Sequence, residues 1–117
     1  MTAREAIENF RESYPSPLGE DTLTAWLEEL EGKIFLEIVS THEGGRGEFS
    51  FSDDSELAAA EPYSALYAAY LRMKCDLEFS DTVRYQSSAP VFAAAWADFA
   101  NAYNRAHRPL CRAELKA

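Results

Sequence analysis

The side chains best equipped for chemistry in this chain are few and scattered. His42 with Glu37 and Glu43 offers an imidazole and two carboxylates, the donor types of a transition-metal site. No second histidine or cysteine falls at ligand spacing, and a histidine near a helix C-terminus has the simpler task of complementing the helix dipole. His107 is as isolated as His42. Cys75 and Cys111 belong to no CxxC or Cys/His pattern, so two reduced thiols are expected. Gly44-Gly45-Arg46-Gly47 is glycine-rich but lacks the lysine and hydroxyl residue of a phosphate loop, and reads as a turn. Glu28 and Glu29 lie on an exposed helix face, where acids mostly solvate. Tyr63, Tyr67, Tyr70 and Trp96 could line an aromatic ligand pocket, although rings at this spacing are more often core. Nothing pairs a nucleophile with a base, so no catalytic residue, cofactor or metal is expected and an enzyme is the least supported class.

The elements that would position these residues are helical. Tyr85, Ala89, Phe92, Trp96, Phe99, Tyr103 and Ala106 alternate steps of four and three, which places them on one stripe of a last helix rich in alanine. Pro90 sits inside that stripe, where an interior proline costs about 3 kcal/mol. The stripe keeps its phase across it. Either the helix runs on, kinked, or it restarts with Ser88 as cap and Pro90 in the first turn. Upstream, Thr2 and Glu5 form a capping box for a first helix that stops before Pro15 and Pro17. Asp21 would cap a second helix whose stripe is Leu23, Trp26, Leu27, Leu30, Ile34, Ile38 and Val39, with Glu28, Glu29, Glu31 and Glu37 on the other face. Gly32 within it suggests close approach of another segment. Pro62 would open a third helix carrying Tyr63, Leu66, Tyr67, Tyr70, Met73, Lys74 and Leu77. A short connection near Ser80 and Asp81 makes the third and fourth helices antiparallel neighbours.

The expected fold is all-α: one four-helix bundle-like domain with helices over about 2–14, 21–42, 62–78 and 81–107. Between the second and third lies a long acidic loop, 43–61, in which Glu48-Phe49-Ser50-Phe51-Ser52 alternates as an extended arm or half of a short β-hairpin would. Loops longer than about 12 to 15 residues are uncommon unless they bind something, which makes this one a candidate assembly surface. A chain of 117 residues with 47% hydrophobic and 26% charged residues supports one core. No apolar run reaches the roughly 18 residues of a membrane span, and residues 1–10 do not read as a secretory signal, so a cytoplasmic site of synthesis is expected.

Charge is unevenly divided. Of the net −9, residues 104–117 carry +3 through Arg105, Arg108, Arg112 and Lys116 against Glu114, leaving −12 on the rest. An acidic body repels phosphate backbones, which disfavours binding nucleic acid through a basic groove. The opposed signs allow the tail of one copy to meet the acidic surface of another.

Several runs resemble small proteins of the head-assembly region of tailed bacteriophages and prophages. They are Leu57-Ala58-Ala59-Ala60-Glu61-Pro62-Tyr63-Ser64-Ala65-Leu66-Tyr67, Tyr70-Leu71, Arg84-Tyr85, Phe92, Phe99-Ala100 and Tyr103-Asn104-Arg105-Ala106-His107-Arg108-Pro109. Trp26-Leu27-Glu28-Glu29-Leu30-Glu31-Gly32-Lys33-Ile34 and Thr41-His42-Glu43 are similar to the same proteins. The resemblance implies a head–tail connector, also called an adaptor or head-completion protein, working in the virion after assembly in the host cytoplasm. It implies a homo-oligomeric ring, dodecameric like the portal above it. Its partners would be the portal protein and the next tail-side connector or stopper, with DNA passing through unbound. Pro90 departs from the continuous helix that the resemblance implies.

On this reading the residues that meet other molecules are Glu48, Phe49, Phe51, Asp53 and Asp54 of the loop and Arg105, Arg108, Arg112 and Lys116 of the tail. The alternative is an acidic DNA mimic that inhibits a host DNA-binding protein. It rests on the same net charge carried by a small helical body.

Overall fold

The structure is a computed structural model, and it describes residues 1–14, 18–42 and 47–107. It is all-α: α1 (Ala3–Ser13), α2 (Glu20–Glu37), a 3₁₀ turn (Val39–Thr41), α3 (Ala65–Glu78) and α4 (Thr82–Ala106), with no strand among the described residues. Among the described residues of the loop, 47–61, an isolated β-bridge joins Glu56 to Thr2 and no strand forms, so the expected hairpin is not seen there. Glu48 and Phe49 are exposed, and no partner strand receives their alternation.

Each helix end has a local cause. Thr2 and Glu5 close the capping box of α1, and the Tyr14 N–H finishes it on the Phe10 carbonyl. α2 starts one residue before the expected Asp21 cap, with Gly19 at the cap position and Glu20 and Asp21 in the first turn, where acids meet the positive end of the dipole. It stops at Glu37 rather than reaching residue 42. The Ser40 hydroxyl donates to the Leu36 carbonyl at 2.9 Å and the Thr41 hydroxyl to the Ile38 carbonyl at 2.7 Å, so side chains occupy acceptors that the helix ladder would use. α3 begins at Ala65 and not at Pro62, whose bond to Glu61 is cis. The Tyr63 N–H closes a turn on the Ala60 carbonyl, which carries the chain from the core-facing Ala59 into the helix. Ser80, at φ 55°, breaks α3, and the Asp81 side chain accepts from the Arg84 N–H to start α4. α4 then runs without a break through Pro90. Ser88 is no cap; its hydroxyl turns inward to Asp76.

α1, α2 and α3 touch one another, and α4 packs chiefly along α3. Ala3, Ala6, Ile7 and Phe10 of α1 face Leu23, Leu27, Leu30 and Ile34 of α2 and Leu66, Tyr67, Leu71 and Cys75 of α3, all buried. Each large aliphatic side chain hidden this way contributes about 1.5 to 3 kcal/mol. The aromatic stripe of α4 works as a seam. Phe92 packs on Tyr70 at 5.1 Å between ring centres and Phe99 on Tyr63 at 6.5 Å, while Trp96 and Tyr103 follow along the same side. Tyr63, Tyr70 and Trp96 therefore belong to this seam. Ala106, the last residue of the expected stripe, is exposed.

Candidate interaction surface

The acidic loop is not a detached excursion. The Arg4 N–H donates to the Asp53 carbonyl at 3.0 Å and the Leu57 N–H to the Met1 carbonyl at 2.9 Å. The Arg4 guanidinium pairs with Asp54 at 3.2 Å. Leu57 and Ala59 are core residues, and Phe51 packs against the core from its edge. Phe49 lies over Gly32, with its ring 5.9 Å from that of Phe35, and stays 39% exposed. The close approach expected at Gly32 is not found: a Cβ there would lie 3.8 Å from this ring, an ordinary contact. Glu48, Asp53 and Asp54 point outward, so 47–56 is an acidic surface held against the N-terminal end of α1 and the C-terminal half of α2. Arg105 is exposed in the last turn of α4. Arg108, Arg112 and Lys116, like Glu43, the glycines at 44 and 45, and Cys111, lie outside the described residues.

What fastens the loop is a buried polar pair. Glu31, expected on the outer face, is 7% exposed. It accepts the Tyr67 hydroxyl at 2.5 Å and the Ala58 N–H at 3.2 Å, while the Tyr67 oxygen accepts the Ala59 N–H at 2.8 Å. Burial raises the Glu31 carboxyl above its ordinary range, and the hydrogen bonds from Tyr67 and Ala58 offset only part of that. Burial and the adjacent Glu31 charge raise the Tyr67 phenol as well. The signal was in the sequence: Glu31 falls four residues after Leu27 and three before Ile34, on the apolar stripe itself.

A second buried acid sits at the other end. Asp76, 1% exposed, accepts the Tyr14 hydroxyl at 3.0 Å and the Ser88 hydroxyl at 2.7 Å, tying α1, α3 and α4 together. Its carboxylate forms part of the floor of an open cleft of about 390 Å³ between α3 and α4. Ala69 and Arg72 line it from α3, and Val83, Arg84, Ser87 and Val91 from α4. Val83 and Val91 are 76% and 59% exposed. The Arg72 guanidinium stacks on the Tyr14 ring at 5.5 Å, and Arg84 pairs with Asp81 at 3.4 Å on the solvent side. Sequence reasoning missed this site because its residues are shared between two helices, and neither stripe alone shows it. Two guanidiniums beside branched aliphatic side chains suit a carboxylate carried next to an apolar group.

His42 turns out to be a structural clasp. Its Nδ1–H donates to the Ile38 carbonyl at 2.6 Å, its Nε2 lies 3.1 Å from Asn104 Oδ1, and its ring meets Tyr103 edge-on at 5.0 Å. It thereby joins the end of α2 to the end of α4. No group of three potential metal donors occurs among the described residues. Nor is any helix there long and apolar enough to cross a membrane. Comparison with protein-family models, with curated proteins and with solved structures finds no match.

Proposed function

We propose that this chain is a head–tail connector subunit of a tailed bacteriophage, a four-helix bundle-like adaptor that forms a homo-oligomeric ring beneath the portal and extends the DNA channel toward the tail. The resemblance of the runs 26–34, 41–43, 57–67, 70–71, 84–85, 99–100 and 103–109, with Phe92, supports this reading. The observation that carries it is the separation of two unlike surfaces. The acidic face of 47–56 is fixed at the start of α1 by Arg4 and Met1, whereas the cleft with Arg72 and Arg84 adjoins Tyr14 at its end. The 11 residues of α1 alone separate them by about 16 Å. A closed ring needs two different patches per subunit, each meeting the other kind on a neighbour. The portal protein would take one rim of the ring and the next connector or stopper the other. An acidic wall lets DNA pass without gripping it.

Purified chain mixed with DNA-filled, tailless heads carrying portals should cosediment with them and appear by electron microscopy as a ring under the portal. Heads that neither retain the chain nor gain a ring would overturn the proposal. Cosedimentation with a basic host DNA-binding protein instead, in competition with duplex DNA, would point to the DNA mimic.

A further inference from the structure

We infer that the cleft between α3 and α4 is the socket for the acidic, phenylalanine-bearing face of a second copy of this chain, with Glu48 and Phe49 of that copy as the inserted side chains. The inference rests on the ring reading above and assigns the contact that would close it.

The socket is chemically specific. On a chain of net charge −9, two arginines meet in one cleft of about 390 Å³ and flank Val83 and Val91, which are largely exposed. Its floor is already satisfied, because Asp76 is spent on Tyr14 and Ser88. Arg72 makes no ion pair among the described residues, and its stacking on Tyr14 holds the guanidinium in place while leaving its donors to a ligand. The occupant should therefore be an acid beside an apolar side chain.

Residues 47–56 present that combination. Glu48, Asp53, Asp54 and Glu56 are exposed, no base occurs in the segment, and Phe49 stands over Gly32 with more than a third of its surface in solvent. The ring of Phe49 would enter between Val83 and Val91, and the Glu48 carboxylate would reach the guanidiniums of Arg72 and Arg84. The segment cannot reach the cleft of its own subunit, being bonded to Arg4 and Met1 at the opposite end of α1. The contact is consequently heterologous, and its repetition generates a ring or a filament. The chain's own basic tail is a poorer occupant, since Arg108, Arg112 and Lys116 would face two more arginines.

The test is sedimentation velocity of the full chain from micromolar to millimolar concentration at low ionic strength. Concentration-dependent association is expected. Arg72→Glu and Arg84→Glu should each weaken it about tenfold or more, and Glu48→Arg in the same chain should restore it. Both arginines are exposed, so circular dichroism should show the fold intact. Oxidised mixtures of Phe49→Cys and Val83→Cys chains, in a Cys111→Ser background, should give the mixed disulfide, which requires Cα atoms within about 7 Å. Association that ignores the charge reversals, with no mixed disulfide, overturns the socket and leaves the ring reading standing on another interface. A chain that stays monomeric throughout overturns the socket, and the ring reading is then judged separately by its binding to heads.

Discussion

Glu31 and Asp76 are acids placed where the chain could have put leucine, and each fastens a non-local contact. Because burial raises Glu31 above its unfolded value near 4.5, the folded state binds its proton more tightly. The stability this contributes is complete below that value and is lost as pH rises through the raised one. Against Glu31→Gln, which has no proton to take up, the parent chain should gain stability as pH falls from 7 toward 4.5. Urea midpoints of the two proteins measured across that range check the sign. Ser88→Ala removes one of two hydroxyls serving the Asp76 carboxylate and should cost about 1 to 3 kcal/mol, read as a lower urea midpoint at unchanged m-value. A neutral result would mean that water serves Asp76 equally well.

The helices are defined as much by how they end as by what they bury. α4 tolerates Pro90 because residues on both sides of it, Ser88 and Phe92, hold it to α3. Pro90 itself is exposed. Replacing it with alanine restores a donor to the helix ladder and should stabilise the chain by about 2 kcal/mol, somewhat less than the full proline penalty because the unfolded chain also gains freedom. Thermal unfolding of Pro90→Ala would show it as a raised Tm. A fall would mean that the proline shapes the α3–α4 seam. At Gly32 an added methyl would lie 3.8 Å from the Phe49 ring, ordinary contact distance. Gly32→Ala should accordingly gain up to about 1 kcal/mol of helix propensity and keep the loop seated. Loss of stability there would signal that Phe49 approaches more closely in solution.

For the whole molecule, burial distributes titration as well as stability. Tyr14, Tyr67, Tyr70 and Tyr103 are all raised above 10.0 chiefly by burial, so the folded state holds their protons after the unfolded chain has released them. The stability these four phenols contribute should therefore be complete below about pH 10 and be lost above it. Absorbance titration of phenolate alongside circular dichroism should find ionisation and unfolding coupled in that range. Early ionisation of Tyr14, Tyr67, Tyr70 and Tyr103 in a folded protein would contradict the burial described for them. Charge is also read at this scale. On the connector proposal, neutralising Arg105, Arg108 and Arg112 should weaken docking to portal-bearing heads more at low salt than at high, because charge attraction at a surface is screened within about 10 Å at 0.1 M salt.

Periodicity by itself determined the number and order of the helices, the capping box at Thr2 and the seam of α4, because 3.6-residue spacing and cap chemistry act within a few residues. Tertiary structure alone decided that Glu31 lies inside, that the loop is partly core through Leu57 and Ala59, and that α3 waits until Ala65. It also brought Arg72 and Arg84 to one cleft. Each of those outcomes depends on a partner far along the chain: Tyr67 for Glu31, Met1 and Arg4 for the loop, α4 for Arg72. Sequence spacing records which face a residue shares with its neighbours, but the energy that buries a charge or seats a loop comes from groups that meet only after the helices pack.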